Sequence, residues 1–285
     1  MTLIVILIVL AAEFYFRWGA EFRSYAWFES IQAKLYDLMG DKPFYEGWGG
    51  VALILLTPVV ILALVISAFP QPLYYLALFL ISIIVLFMSL GPIALKQTYS
   101  VYFEAMERGD SEAGYLSLQQ AGVLNDLSES DPLVRNATRS ILVESQTRYF
   151  GVIFWFIFLG PYGALFYRLS HYYAGICNKE SLEEHGLYLD KLLHIIDWAP
   201  ARLTSCLFLL TGDFVNGFYR VKDYLFDLNA DNRHLISETG IAALGLDLSS
   251  SDEALDENHN ALAMVERTVI IYLVVAAALS PVAFW

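Results

Sequence analysis

The sequence predicts an all-α, polytopic membrane bundle, and three observations carry that reading. The 285 residues are 57% hydrophobic and only 16% charged, with a mean hydropathy of +0.52. That balance belongs to a chain whose solvent is largely lipid. Apolar runs recur at lengths of roughly 17–25 residues, the length a helix needs to cross a bilayer. No segment shows the clean two-residue alternation of a half-buried strand. About four to six membrane helices are expected, some broken or re-entrant, joined by helical cytoplasmic loops.

The first apolar stretch, residues 2–16, is short and holds Glu13. It opens Met1-Thr2-Leu3 without the basic residues of a signal peptide, so it is expected to stay as an anchor. Residues 48–69 and 72–95 are two full spans, separated by Pro70-Gln71-Pro72. Residues 149–167 and 192–210 are also apolar. Gly160-Pro161 interrupts the former, and Asp197, Pro200 and Arg202 interrupt the latter. Residues 268–285 form a last, nearly clean span. Pro200 cannot donate a hydrogen bond to the carbonyl of Ile196, so a kink is expected there.

Basic residues set the expected topology. Arg17, Arg23, Lys34 and Lys42 precede the second stretch, and Lys96, Arg108, Arg135, Arg139 and Arg148 follow the third. The positive-inside rule places both segments in the cytoplasm, with the N-terminus outside and residues 212–267 inside. The chain reads as a single membrane domain, 1–285. Within it, residues 96–148 form a helical cytoplasmic region and 212–267 an acidic cytoplasmic segment. Gly109-Asp110 is a stop followed by an N-cap. Asp131-Pro132 starts a helix that continues through Glu144 and Arg148 into the membrane. Residues 249–258 look like a solvated linker, with a capping box at Ser250 and Glu253.

A net charge of −13 argues against nucleic acid as a partner and against a polybasic lipid patch. There is no phosphate-cradling glycine loop and no HExxH or paired CxxC, so no nucleotide or metal is assigned and the cofactor is unknown. Cys177 and Cys206 form no disulfide framework. No internal repeat favours a transporter.

The informative residues are the ionisable ones in or beside apolar stretches, because charge at bilayer depth normally faces protein or a water-filled cavity. Glu13 and Arg17 lie one turn apart, as do Glu144 and Arg148. Arg168 and His171 follow in the fourth stretch, then Asp197 and Arg202, then Asp213. Each has a plain alternative. Glu13 with Arg17 is a helix-end pair, Arg168 snorkels to the interface, and His171 sits in an aromatic belt with Tyr167, Tyr172 and Tyr173. Asp197 and Arg202 make either a structural ion network or a ligand site.

Asp197-Trp198-Ala199-Pro200-Ala201-Arg202-Leu203 resembles the Asn-Trp-Ile-Pro-Ala-Arg-Leu signature of the CobD/CbiB family, the membrane-bound adenosylcobinamide-phosphate synthases. Gly109-Asp110, Glu144 and Gly163-Ala164-Leu165 with Tyr167-Arg168 match further. The opening Met1-Thr2-Leu3, Glu13 and Gly19, Trp27-Phe28, and His194 with Ile196 ahead of the signature are more similar to the AmpE family of β-lactamase regulatory membrane proteins, in the same superfamily. The departures matter. The synthases carry Glu-Asn-Thr-Ser-Asp-Gly where this chain has Glu144-Ser145-Gln146-Thr147-Arg148-Tyr149. Their Asn and Asp after the Gly-Ala-Leu block fall near His171 and Ala174, and the Asn of the signature is Asp197.

The AmpE resemblance implies an inner-membrane regulator of β-lactamase induction, linked to cell-wall state and to a cytoplasmic muropeptide amidase. Lipid is its medium, and an anionic, muropeptide-like molecule is the expected ligand. Glu13, Arg148, Arg168, His171, Asp197, Trp198 and Arg202 are its candidate binding residues. The CbiB resemblance implies the alternative, a membrane-embedded amide-forming enzyme. There Glu144 is the candidate base or metal ligand, and arginines hold an anionic substrate.

Overall fold

The computed structural model describes residues 1–15, 24–90, 95–120, 132–180, 182–245 and 254–279. Those residues are helical with connecting turns, as expected. In chain order the helices are α1 (Thr2–Tyr15), α2 (Ala26–Met39), α3 (Trp48–Ser67), α4 (Gln71–Ser89), a short turn Leu95–Thr98, α5 (Ser100–Glu107), α6 (Ser111–Gln120), α7 (Leu133–Ser145), a π-helical turn Gln146–Phe150, α8 (Gly151–Glu180), α9 (Glu183–Thr211), α10 (Phe214–Val221), α11 (Asn232–Ala243) and α12 (Ala254–Leu279). Five stretches are long and apolar enough to cross a membrane: Trp48–Ser67, Gln71–Ser89, Leu133–Lys179, Glu184–Thr211 and Asp256–Ala278. Arg17, Gly19 and Arg23, Asp131, the capping box at Ser250 and Glu253, and the last six residues lie outside the described residues.

The chain divides into two compact units. The first comprises residues 1–92, 151–197 and 275–285. In it α8 packs on α3 and α4, and α1 packs on α4 and α8. Its core gathers Phe28, Ile54, Leu55, Leu169 and Leu189. Pro70 and Pro72 start α4 cleanly, because proline at a helix entry gives up only an N–H that has no partner there.

The 30 residues of α8 are not one rod. Gly160 has φ 64° and ψ −149°, a conformation open essentially to glycine alone, and Pro161 follows. The chain reverses there. A Cβ on Gly163 would strike the carbonyl of Trp155 and the side chain of Leu159. One on Gly151 would strike the phenol of Tyr167. Residues eight and sixteen apart touch only if the two arms run antiparallel, since a straight helix would separate them by about 12 and 24 Å. The Gly160-Pro161 interruption therefore makes a tight helical hairpin.

The second unit comprises residues 93–150 and 198–274. Its α7 packs on α11, α11 on α10, and α5 on α6. Gly109, with φ 75°, ends α5, and the Asp110 carboxylate caps α6 by accepting the Ala113 N–H at 2.9 Å, as the sequence predicts. Glu238 on α11 joins its neighbours: Arg139 of α7 lies 3.0 Å from one carboxylate oxygen and Arg220 of α10 lies 3.3 Å from the other.

One expectation is corrected here. Residues 256–258 are not a solvated linker. They open α12, and Asn258 is fully buried. Its amide donates to the Val134 carbonyl at 2.9 Å and to Thr138 Oγ1 at 2.8 Å, while its oxygen accepts from the Tyr102 hydroxyl at 2.9 Å. Glu257 lies 3.9 Å from Arg135. The polar run is an internal latch, because an amide with both ends matched can be buried at little cost.

Candidate functional site

In the first unit, α8 and the first half of α9 bring Tyr167, His171 and Asp197 together. The Tyr167 hydroxyl donates to Asp197 Oδ1 at 2.6 Å, and His171 Nε2 lies 3.2 Å from the same carboxylate. Tyr167 and His171 sit one turn apart with ring centroids 4.6 Å from each other. His171 is thus engaged with an acidic partner rather than standing alone in an aromatic belt. The carbonyl that Pro200 leaves without its helical donor, that of Ile196, accepts the Trp155 indole N–H at 3.1 Å. The hairpin therefore supplies the group the proline cannot.

Arg168 faces other partners. Its Nε donates to the Tyr25 hydroxyl at 3.3 Å, its guanidinium lies 5.7 Å from the Tyr25 ring centroid, and the Tyr25 hydroxyl donates to the Met88 carbonyl at 2.6 Å. It is anchored inside the bundle instead of snorkelling. Glu13 lies near the end of α1 and is half-buried.

The first unit also holds a group that the sequence did not point to. His185 is buried, with Nδ1 2.5 Å from the Tyr173 hydroxyl and Nε2 2.6 Å from the Tyr45 carbonyl. A carbonyl can only accept, so Nε2 carries the proton and Tyr173 donates to Nδ1. Beside it lies a cavity of about 400 Å³ lined by Gln32, Tyr36, Glu46 and Glu184 among others. Burial raises the Tyr45 phenol above its ordinary pKa, with the neighbouring Tyr36 adding to the effect. No sequence motif joins Tyr45, Tyr173 and His185: the turn after α8 returns His185 to Tyr173, and Tyr45 comes from the connection between α2 and α3.

In the second unit, Glu144 and Arg148 form an ion pair at 2.5 Å across the π-helical turn, and Arg148 also donates to Thr98 Oγ1 at 3.0 Å. Single π turns often mark functional positions in helices. Gln146 on the same turn accepts from Thr204 Oγ1 at 2.6 Å. Its amide nitrogen, the Ser205 hydroxyl and the Trp198 indole N–H are buried without hydrogen-bond partners.

Arg202 stacks 4.6 Å from the Trp198 ring centroid. Its Nε donates to the Leu225 carbonyl at 3.2 Å, Nη1 to the Trp198 carbonyl at 3.2 Å and to the Asn232 side chain, and Nη2 to the Asp227 carbonyl at 2.6 Å. Four of the five guanidinium N–H groups are thereby committed. Asp213 plays a structural part: it caps α10 by accepting from the Asn216 N–H at 3.1 Å.

The first unit thus carries Tyr167, His171 and Asp197 as one cluster, and the second carries the Glu144–Arg148 pair and the Arg202–Trp198 stack. With five stretches long and apolar enough to cross a bilayer, the fold is that of a multi-pass helical membrane protein. The family described as "Regulatory signalling modulator protein AmpE" matches residues 1–282, and the chain belongs to that family.

More distant similarity reaches two proteins named "Cobalamin biosynthesis protein CobD". The one from Chromobacterium violaceum is 26% identical over 175 residues, covering 59% of this chain and 55% of that protein. The one from Stutzerimonas stutzeri is 27% identical over 135 residues, covering 45% and 44%. The chain spans about half the length of these curated relatives. No solved structure matches.

Proposed function

We propose that this chain is a regulator of β-lactamase induction in the bacterial inner membrane, responding to the muropeptide state of the cell wall rather than catalysing a reaction. The observation that carries the reading is the 2.5 Å Glu144–Arg148 ion pair. The resemblance to the synthases puts Glu144 where a base or metal ligand would stand. Here a guanidinium replaces an acidic neighbour and occupies that carboxylate. The guanidinium thereby stands where a substrate proton or a metal ion would have to approach Oε2.

An anionic, muropeptide-like ligand fits the remaining basic groups best in the first unit, where Arg168 commits its Nε to Tyr25 and His171 faces Asp197. Glu13 belongs to that unit, and Arg148, Trp198 and Arg202 to the second. The N-terminus lies in the periplasm and the main loops in the cytoplasm, in line with the basic residues flanking the spans. A cytoplasmic muropeptide amidase is the functional neighbour.

The alternative, an amide-forming enzyme, is favoured by one observation: the partnerless polar groups of Gln146 and Ser205, buried beside the π turn that carries Glu144. One experiment separates the two readings. A deletion strain is complemented with wild type or Arg202→Ala at equal membrane levels, then profiled by mass spectrometry for metabolites, including cytoplasmic muropeptides, while β-lactamase induction is followed. Altered induction with level small-molecule pools is the expected result. Unchanged induction in the deletion strain overturns the regulatory reading. Loss of one specific metabolite, or build-up of its precursor, identifies an enzyme.

A further inference from the structure

We propose that residues 214–228, outside every membrane-crossing helix, form an in-plane element docked into the interface of the protein's own bilayer. The segment exposes Phe214, Val215, Phe218, Tyr219 and Phe226, with Tyr219 at 69% and Phe226 at 85%. The rings of Phe214 and Phe218 lie nearly parallel, 4° apart in plane with centroids 5.8 Å from each other, one turn apart on α10. An apolar patch this dense is not left in water without a partner.

Two features make lipid the partner. The first is covalent: α9, itself long and apolar enough to span, ends at Thr211, and α10 begins three residues later. The aromatic face is therefore held at the end of a spanning helix, and Leu210 just before it is 61% exposed. The second is the design of the segment. Its inward side is fixed to protein, with Leu209, Val221, Leu225 and Leu235 forming a small core beneath it. Arg202 grips the carbonyls of Leu225 and Asp227, the residues on either side of Phe226. The segment is thus rigid while its aromatic side chains point outward.

Lys222 lies 5.7 Å from the Tyr219 ring centroid, a placement that lets an ammonium reach headgroup level while its stem lies along apolar surface. Charge is not the attraction, since within the segment Asp223 and Asp227 balance Arg220 and Lys222. Docking is therefore apolar and indifferent to anionic lipid.

Site-directed spin labelling tests this. In a Cys177→Ser, Cys206→Ala background, labels are placed at Phe218→Cys and Phe226→Cys, with Asp223→Cys as the polar control. The protein is reconstituted in nanodiscs of phosphatidylcholine, with and without phosphatidylglycerol. Collisions with oxygen are expected to exceed those with a nickel chelate at 218 and 226, with the order reversed at 223, in both lipid mixtures. Nickel-dominated collisions at 226 place it in water and overturn the proposal. Low values for both reagents mean that protein covers the patch, which overturns it equally. Dependence on phosphatidylglycerol removes the apolar mechanism. Arg202→Lys, which keeps the charge but loses the planar fork, is expected to sharpen the spectrum at 226 more than at 218; an unchanged line shape removes Arg202 from the presentation of Phe226.

Discussion

Trp155 is the residue on which the proline in α9 depends. Its indole N–H satisfies the Ile196 carbonyl, which Pro200 cannot reach with a donor of its own. Trp155→Phe removes the donor and keeps most of the ring. We expect a loss of about 1–3 kcal/mol, the cost of one buried unsatisfied carbonyl, measured by reversible unfolding in mixed micelles. Pro200→Ala restores a backbone N–H four residues after Ile196, so in the double variant the Trp155 substitution should cost markedly less. Additive costs would refute the pairing. Asn258→Ala strands three partners at once and is expected to lower stability by at least about 2 kcal/mol, seen as a fall in the thermal midpoint.

At this scale the sequence was partly legible. The charged motif stood out because aspartate, arginine and proline in an apolar run violate the local pattern. Their partners did not, because Trp155, Tyr167, Leu225 and Asn232 lie 23 to 41 residues from the groups they bond. Asn258 was misread because a string of acids and amides looks solvated until tertiary partners are known.

Among the elements, the α8 hairpin has the narrowest tolerance. Gly160 holds a backbone conformation that an L side chain adopts only under strain. Gly160→Ala is expected to cost about 1–3 kcal/mol and to increase proteolysis near the apex. Gly151→Ala pushes a methyl group into the Tyr167 phenol. A cost of about 1–3 kcal/mol from overpacking should follow, with weakening of the Tyr167–Asp197 hydrogen bond. Infrared absorption of the Asp197 carboxylate, assigned with Asp197→Asn, checks the second effect. A Gly-Pro pair marks a break in any apolar helix, so the interruption was visible from sequence. Its angle was not, because a kink and a reversal use the same two residues and differ in one ψ. The π turn likewise leaves no sequence signature; Glu144 and Arg148 are spaced for a salt bridge with or without it.

For the molecule as a whole, alkaline pH probes the buried phenols, among which Tyr99 and Tyr102 belong to the second unit. Burial raises the phenol of Tyr99, with the Glu144 charge adding to it, and burial raises that of Tyr102, with Glu257 adding. Both groups bind their protons more tightly folded than unfolded. Their contribution is complete below the unfolded value, 10.0, and is lost as pH rises above it toward the folded values. Thermal midpoints are expected to hold to about pH 9 and to fall steadily beyond about pH 10. Tyrosinate absorbance should appear together with unfolding; titration of the full tyrosine complement before unfolding would contradict this. The membrane class and a range of about four to six membrane helices followed from composition and the lengths of apolar runs, since apolar length is a local property. Division into two units did not, because each unit is assembled from segments distant in the chain.

The reversal at Gly160 also bears on how the protein is made. The helix before it runs back through the π turn to Leu133, but only its last stretch, Tyr149 to Leu159, is continuously apolar, and that stretch covers about 16 Å, well short of a bilayer. It cannot leave the translocation channel as a finished span. It must wait in or beside the channel until the returning arm has been synthesised, and the two must then partition into lipid together. A nascent chain arrested just after Tyr162 should remain crosslinked to the channel, and one extended beyond Glu180 should be released. The step that commits this chain to its membrane topology is therefore taken by a pair of helices.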